Sequence, residues 1–188
     1  MARRLLLPSL TLTLLLTAVI GVIHAQPYDD GGLRAFLTPP PGCAAPCFMG
    51  IRIGRMTAGT AVEWLDQHPW VARVILSERF GATQGGYIGW RWNGQQPMWL
   101  DGAVPAALWV RGHVVRFVRV QTTITLGDLW LLLHRPAAGL YRVERDFATQ
   151  KAIIVHAAAF PEARLTARLT VDCPLRPAVF WQTPVELQ

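Results

Sequence analysis

Cys43 and Cys47 stand four positions apart in "GCAAPCFMGIRIGR", and Cys173 is the only other cysteine of the chain. Redox chemistry wants a Cys-x-x-Cys at a helix N-terminus, where the thiol pKa falls; here the next helical pattern starts ten residues beyond Cys47. A structural bridge is the better reading, with two pairings open. In the chain-entropy model the short Cys43–Cys47 loop contributes about 2 kcal/mol and the long Cys47–Cys173 loop about 5 kcal/mol. Realised stabilisation follows loop length poorly, so proximity decides for Cys43 with Cys47. Cys47 with Cys173 stays the alternative.

The other reactive residue types are sparse. Beyond residue 25, Ser77 is the only serine, and it lies in the strand-like run "VARVILSERF" without a Gly-x-Ser-x-Gly elbow. His68, His113, His134 and His156 are scattered singly, with no spacing that would place two on one metal, so no metal site and no cofactor is expected. His68 and His134 fall where two helices should end, a place that suits capping. Glu63 and Asp128 suit first helical turns, and Asp101-Gly102 reads as a turn. No catalytic residue is assigned.

The tryptophans offer binding chemistry instead. Trp90, Trp92, Trp99 and Trp109 fall on consecutive strand-like runs. Trp90 and Trp92, two apart, must share a face. On the inner face they are core, which "YIGWRW" favours by aligning Ile88 with them; on the outer face they would form an aromatic platform for peptide or sugar. In "ARLTARLTVD", Arg164, Thr166, Arg168 and Thr170 alternate with Ala163, Leu165, Ala167, Leu169 and Val171, giving one wet face and one dry. The candidate binding residues are therefore Trp90, Trp92, Trp99, Trp109, Arg164 and Arg168.

What positions these residues is a sequence of recognisable elements. Residues 1–25 open with Arg3 and Arg4, continue as an apolar run and end at Ala25, the order of a secretory signal. An uncleaved anchor is the alternative, and only then would the membrane be a partner. Residues 26–42, with Gly pairs and a Pro triplet, read as a spacer. Residues 43–123 carry Thr57 as a helix cap, the apolar stripe Ala58, Ala61, Val62 and Leu65, then strands. A hairpin is expected at Asn93-Gly94 and a fold-back near Gly112. Residues 124–173 repeat the design, with Thr125 and Asp128 at capping-box spacing, the stripe Leu126, Leu129, Trp130 and Leu133, and turns at "ATQ" and "PEA". The three-proline segment 174–188 should run over the surface.

The expected fold class is α+β: two tandem repeats, each a short capped helix packed on an antiparallel sheet. The stretches "GIRIGRMTAGTAVEWL" and "TTITLGDLWLLLHRP" resemble the helix openings of small exported modules related to the β-lactamase inhibitory proteins and the small lipoprotein of outer-membrane protein assembly. With "CAAPC" ahead of it, the first stretch also resembles uncharacterised bacterial secreted proteins with a Cys-x-x-x-Cys, Gly-Ile and Gly-x-Thr pattern. Met56 stands where a second Thr is usual. The resemblance implies export and an antiparallel sheet behind each helix, and its motifs are structural.

Charge narrows the partner class. The formal net charge is +6, yet no run of five bases occurs, so nucleic acid is not expected. The reading that follows is an exported non-enzymatic module holding an extracytoplasmic protein or envelope component on an open sheet face. The competing readings are an extracytoplasmic hydrolase using His113 or His156 with a carboxylate, and a surface-anchored spacer domain.

Overall fold

The computed structural model describes residues 2–25, 30–76, 85–146 and 148–188. Ser77 and the start of "GATQGGYIGW" lie outside the described residues. Two compact units divide the chain, Met1–Gly32 and Leu33–Gln188. The first is essentially one helix, α1 (Ala2–Ala25). Among the described residues no helix is long and apolar enough to cross a membrane.

The second unit is α+β. Its elements are α2 (Leu33–Leu37), β1 (Cys47–Phe48), β2 (Ile51–Arg52), α3 (Ala58–Asp66), β3 (Val71–Leu76), β4 (Gly86–Trp92), β5 (Ala106–Arg111), β6 (Val114–Thr125), α4 (Leu126–Leu133), β7 (Ala138–Arg145), β8 (Ala152–Phe160), β9 (Leu165–Asp172), α5 (Pro177–Gln182) and β10 (Pro184–Leu187). β1 and β2 form a small hairpin; the other eight strands make one antiparallel sheet in the order β3-β4-β5-β6-β10-β9-β8-β7.

Both caps form as their spacing requires. Thr57 Oγ1 accepts from Thr60 N. Thr125 and Asp128 make a reciprocal capping box, the Asp128 carboxylate accepting from Thr125 N at 3.0 Å and Thr125 Oγ1 accepting from Asp128 N at 3.2 Å. On α3, Ala58, Ala61 and Leu65 are buried; on α4 the buried set is Leu126, Leu129 and Leu132, with Leu133 partly buried beside it. Both helices pack on the sheet face that carries Ile88, Trp90, Leu108, Val118 and Leu169, in one continuous core. Cys43 and Cys47 are bridged, with Cα atoms 5.9 Å apart, so the Cys47–Cys173 alternative is not formed. Cys173 is free and exposed.

Three expectations are corrected, and the tandem repeat is not resolved. Helix followed by meander occurs twice, but the halves are unequal, α3 preceding four strands and α4 three, and they share one sheet and one core, so the structure does not resolve them as two tandem repeats. The segment 174–188 stays on the surface only through α5, where Phe180 is the one buried residue; its end folds as β10, which pairs with β6 on one side and β9 on the other. Val185 is wholly buried, and its carbonyl accepts from the buried Thr122 hydroxyl at 2.6 Å. Within the stretch read as spacer, Leu33 of α2 is buried in the core and Phe36 and Leu37 pack on it. Asn93-Gly94 turns the chain but joins no hairpin; β4 pairs with β5, and "QQPMWL" is a loop that touches β6 through the bridge Leu100–Thr122 and a hydrogen bond from Thr123 Oγ1 to Met98 O. The fold-back at Gly112 does form the β5–β6 hairpin, with Gly112 and His113 at φ of 61° and 63°.

Because β10 is central, its apolar side chains carry stability that a surface tail would not. Leu187→Ala should cost about 3 kcal/mol, whereas Leu175→Ala, in the exposed approach to α5, should stay within about 0.5 kcal/mol. Urea unfolding of the two variants beside the parent checks the contrast.

Candidate binding face

Period-two alternation divides each strand between two faces. On β4, Ile88, Trp90 and Trp92 turn to the helices, leaving Tyr87, Gly89 and Arg91 on the other side. The ladder register carries that division across the sheet. Tyr87 lies opposite Trp109 of β5, and Trp109 opposite Phe117 of β6, so three aromatic rings line up on the helix-free face. Trp109 and Phe117 stack at 4.8 Å between centroids with planes 11° apart, and Tyr87 lies 6.0 Å from Trp109. The row beside it is Ile75, Gly89, Ala107 and Arg119, and beyond that Arg73 faces Arg91. Two arginines directly opposed on neighbouring strands repel, and no acidic side chain of β3, β4 or β5 shares their face.

Arg119 ties this aromatic half to the polar centre. Its guanidinium lies 4.6 Å from the Trp109 ring centroid, and its Nε approaches Glu186 Oε2 of β10 at 3.3 Å. Glu186 stands between Gln121 of β6 and Arg168 of β9. There a groove of ≈ 630 Å³ opens, lined by Asp101, Gln121, Thr123, Arg168, Thr170 and Glu186 among others. Its wall is the loop after Gln96, held against β6 by Asp101 N to Gln121 O and Thr123 N to Trp99 O, both 3.0 Å. The face thus combines half-exposed rings, guanidinium groups and a groove rich in hydrogen-bonding side chains. Such a surface can bind.

The six residues singled out from sequence separate on this geometry. Trp109 and Arg168 lie on the open face. Trp90 and Trp92 do not: both are core, with rings 5.6 Å apart edge to face, Trp90 fully buried and Trp92 Nε1 donating to Val104 O at 3.1 Å. Trp99 packs half-buried on the core. Arg164 sits in the turn before β9 with φ of 50°, and it donates to the Ala45 carbonyl inside the disulfide loop instead of joining Arg168. Tyr87, Phe117, Arg119 and Glu186 were missed. The signal for Tyr87 was its alternation with Ile88 and Trp90. Phe117 was hidden by a bulge at Arg116, which turns Val115 and Val118 to the same side.

The histidines fall elsewhere. His68 Nδ1 accepts from Trp70 N at 3.3 Å at the end of α3, and His134 takes the α4 C-cap position at φ of 61°. His113 is exposed in the β5–β6 turn, where its carbonyl accepts from Ala58 N. His156 is buried on the helix-facing side of β8, stacked on Tyr141 at 4.1 Å and 5.3 Å from Phe180 of α5, its Nδ1 without a hydrogen-bond partner. Rings, not carboxylates, surround it. Among the described residues no group of three or more His, Cys, Asp or Glu is placed to hold a metal. No family model, curated relative or solved structure matches the chain. The likeness to the β-lactamase inhibitory proteins rests on the two helix-opening stretches alone.

Desolvation lowers the His156 pKa below its ordinary 6.5, and His68 is lowered in the same way. The unfolded chain therefore takes up protons first as pH drops through 6.5, and folding stability should fall over that window and level off once the folded-state histidines titrate. Urea unfolding at pH 8 and pH 5 measures the loss. His156→Leu should make the difference smaller without abolishing it, because His68 still contributes.

Proposed function

We propose that this protein is an exported, non-enzymatic binding module that holds a protein or envelope component against the helix-free face of its sheet. The observation that supports this reading is the row Tyr87, Trp109 and Phe117 flanked by Arg119, Arg91 and Arg73. Tyr87 and Phe117 keep 47% and 36% of their surface exposed although the same strands have a core-facing side available. Rings and guanidinium groups are the side chains that dominate protein interfaces. Trp109 already engages Phe117 and Arg119 with its π surface, which favours a protein partner over a stacked sugar. Export is supported by the order of charge, apolar run and small residue over residues 1–25.

A photo-crosslinking residue at Phe117 should give one discrete adduct in intact cells, while the same residue at Val179 of α5, on the helix-bearing side, should give none. Trp109→Ala with Arg119→Ala should abolish the adduct yet shift stability by only about 1 kcal/mol. Equal labelling from both positions, or an adduct indifferent to the double substitution, would refute the assignment.

A further inference from the structure

The two edges of the sheet are built differently. β3 carries a bulge beside Ala72 and an outward Arg73, both features that discourage pairing with another strand. β7 has neither. Its eight residues run in unbroken register with β8, contain no Pro or Lys, and all but Glu144 are exposed. Leu140 is 66% exposed, Tyr141 59% and Val143 69%. A regular edge of this kind, with three exposed apolar side chains, presents a row of unpaired backbone groups to whatever can extend the sheet.

Backbone parity says which groups are free. Just past the strand, Asp146 N donates to Lys151 O at 2.9 Å, so the even-numbered positions of β7 pair inward with β8. Gly139, Tyr141, Val143 and Arg145 turn their N–H and C=O groups to the open edge. We infer that β7 pairs antiparallel with β7 of a second copy, about a two-fold axis through Val143, so that two eight-stranded sheets become one.

The strand is complementary to itself in this register and in no neighbouring one. About Val143, Arg142 faces Glu144 of the second copy and Glu144 faces its Arg142; each Glu144 already pairs with its own Arg142, so four charges alternate in sign. On the opposite face Val143 meets Val143, and Tyr141 lies across from Arg145, a cation facing a ring. An axis through Arg142 or Glu144 would set like charges against each other. One through Tyr141 would put Glu144 opposite Ala138 and Arg142 opposite Leu140, giving neither charge a partner in the second copy. Isologous two-fold pairing is also the commonest closed assembly, and it uses up the edge completely, whereas a head-to-tail contact would propagate. This assignment does not depend on the aromatic face, which lies over β4 to β6.

Sedimentation velocity of the protein as its host produces it should show a concentration-dependent monomer–dimer equilibrium. Arg142→Glu and Glu144→Arg, made separately, should each weaken self-association about tenfold or more, because every facing pair becomes like-charged. Mixed together, the two single variants should recover a mixed dimer, since one strand then presents only acids at these positions and the other only bases. The doubly swapped chain, which keeps its internal pair, should dimerise like the parent. A parent that stays monomeric at every concentration, single variants that dimerise unchanged, or a mixture that shows no recovery would each overturn the proposal. Thermal unfolding of each variant shows that it is folded; the mixture and the double swap separate a contact between chains from any local effect within one.

Discussion

The pairing of β10 between β6 and β9 is the constraint on which the remaining architecture depends. Four residues, Pro184–Leu187, join a meander of four strands to a meander of three. Without them the inner edges of the two meanders would be bare and the apolar surface of each half too small to sustain a separate core. The junction is reinforced where side chain meets backbone: the buried Thr122 hydroxyl donates to the Val185 carbonyl, and Thr166 and Gln188 exchange backbone hydrogen bonds at 2.8 and 2.9 Å. A buried hydroxyl tolerates no misplacement of its acceptor, so this contact fixes the register of the strand as well as stabilising it.

From that junction the two faces acquire different characters. All four helices of the unit Leu33–Gln188 place their buried residues in the core or against rings packed on it, Leu33 from α2, Leu65 from α3, Leu129 from α4 and Phe180 from α5. Short links tie α3, α4 and α5 to neighbouring strands; α4 follows β6 with no residue between. The opposite face keeps its rings and arginines in partial contact with solvent. Arg119 holds the two halves of that face together electrostatically, touching Trp109 on one side and Glu186 on the other, so the aromatic row and the polar groove form one continuous surface across the junction.

Local features were legible in the sequence to the extent that their causes are local. The Thr57 and Thr125 caps, the short disulfide, the Gly112 turn and the alternation of β9 each depend on residues within a few positions of one another. What could not be read depends on partners far away in sequence. β10 looks like a polar, proline-containing tail because four residues are too few to show alternation, and its strand character comes from β6 and β9. Asn93-Gly94 carries the strongest short hairpin signal, yet Asn93 Nδ2 donates instead to Pro69 O at 2.6 Å, and residues 95–105 intervene before the chain pairs with β4 at Ala106. The bulge at Arg116 shifted the parity of β6, which is why Phe117 was not recognised beside Trp109.

The fate of the tryptophans shows why residue type alone is a poor guide to a binding face. Trp90 and Trp92 are the most conspicuous pair in the sequence, and period two rightly places them together, but alternation cannot say which side the helices will cover. That choice is made by neighbours: Val74, Ala106 and Leu108 stand opposite or beside them on β3 and β5, and apolar rows gather on the side where α3 can bury them. Trp109 has the same chemistry and the opposite outcome, because its own ladder partners are Tyr87 and Phe117, while Leu108 and Val110 on either side of it face the core. A ring whose cross-strand neighbours are small or aliphatic completes a core. Trp109, whose ladder partners are Tyr87 and Phe117 and whose ring meets the Arg119 guanidinium, lies with them on the face opposite that core.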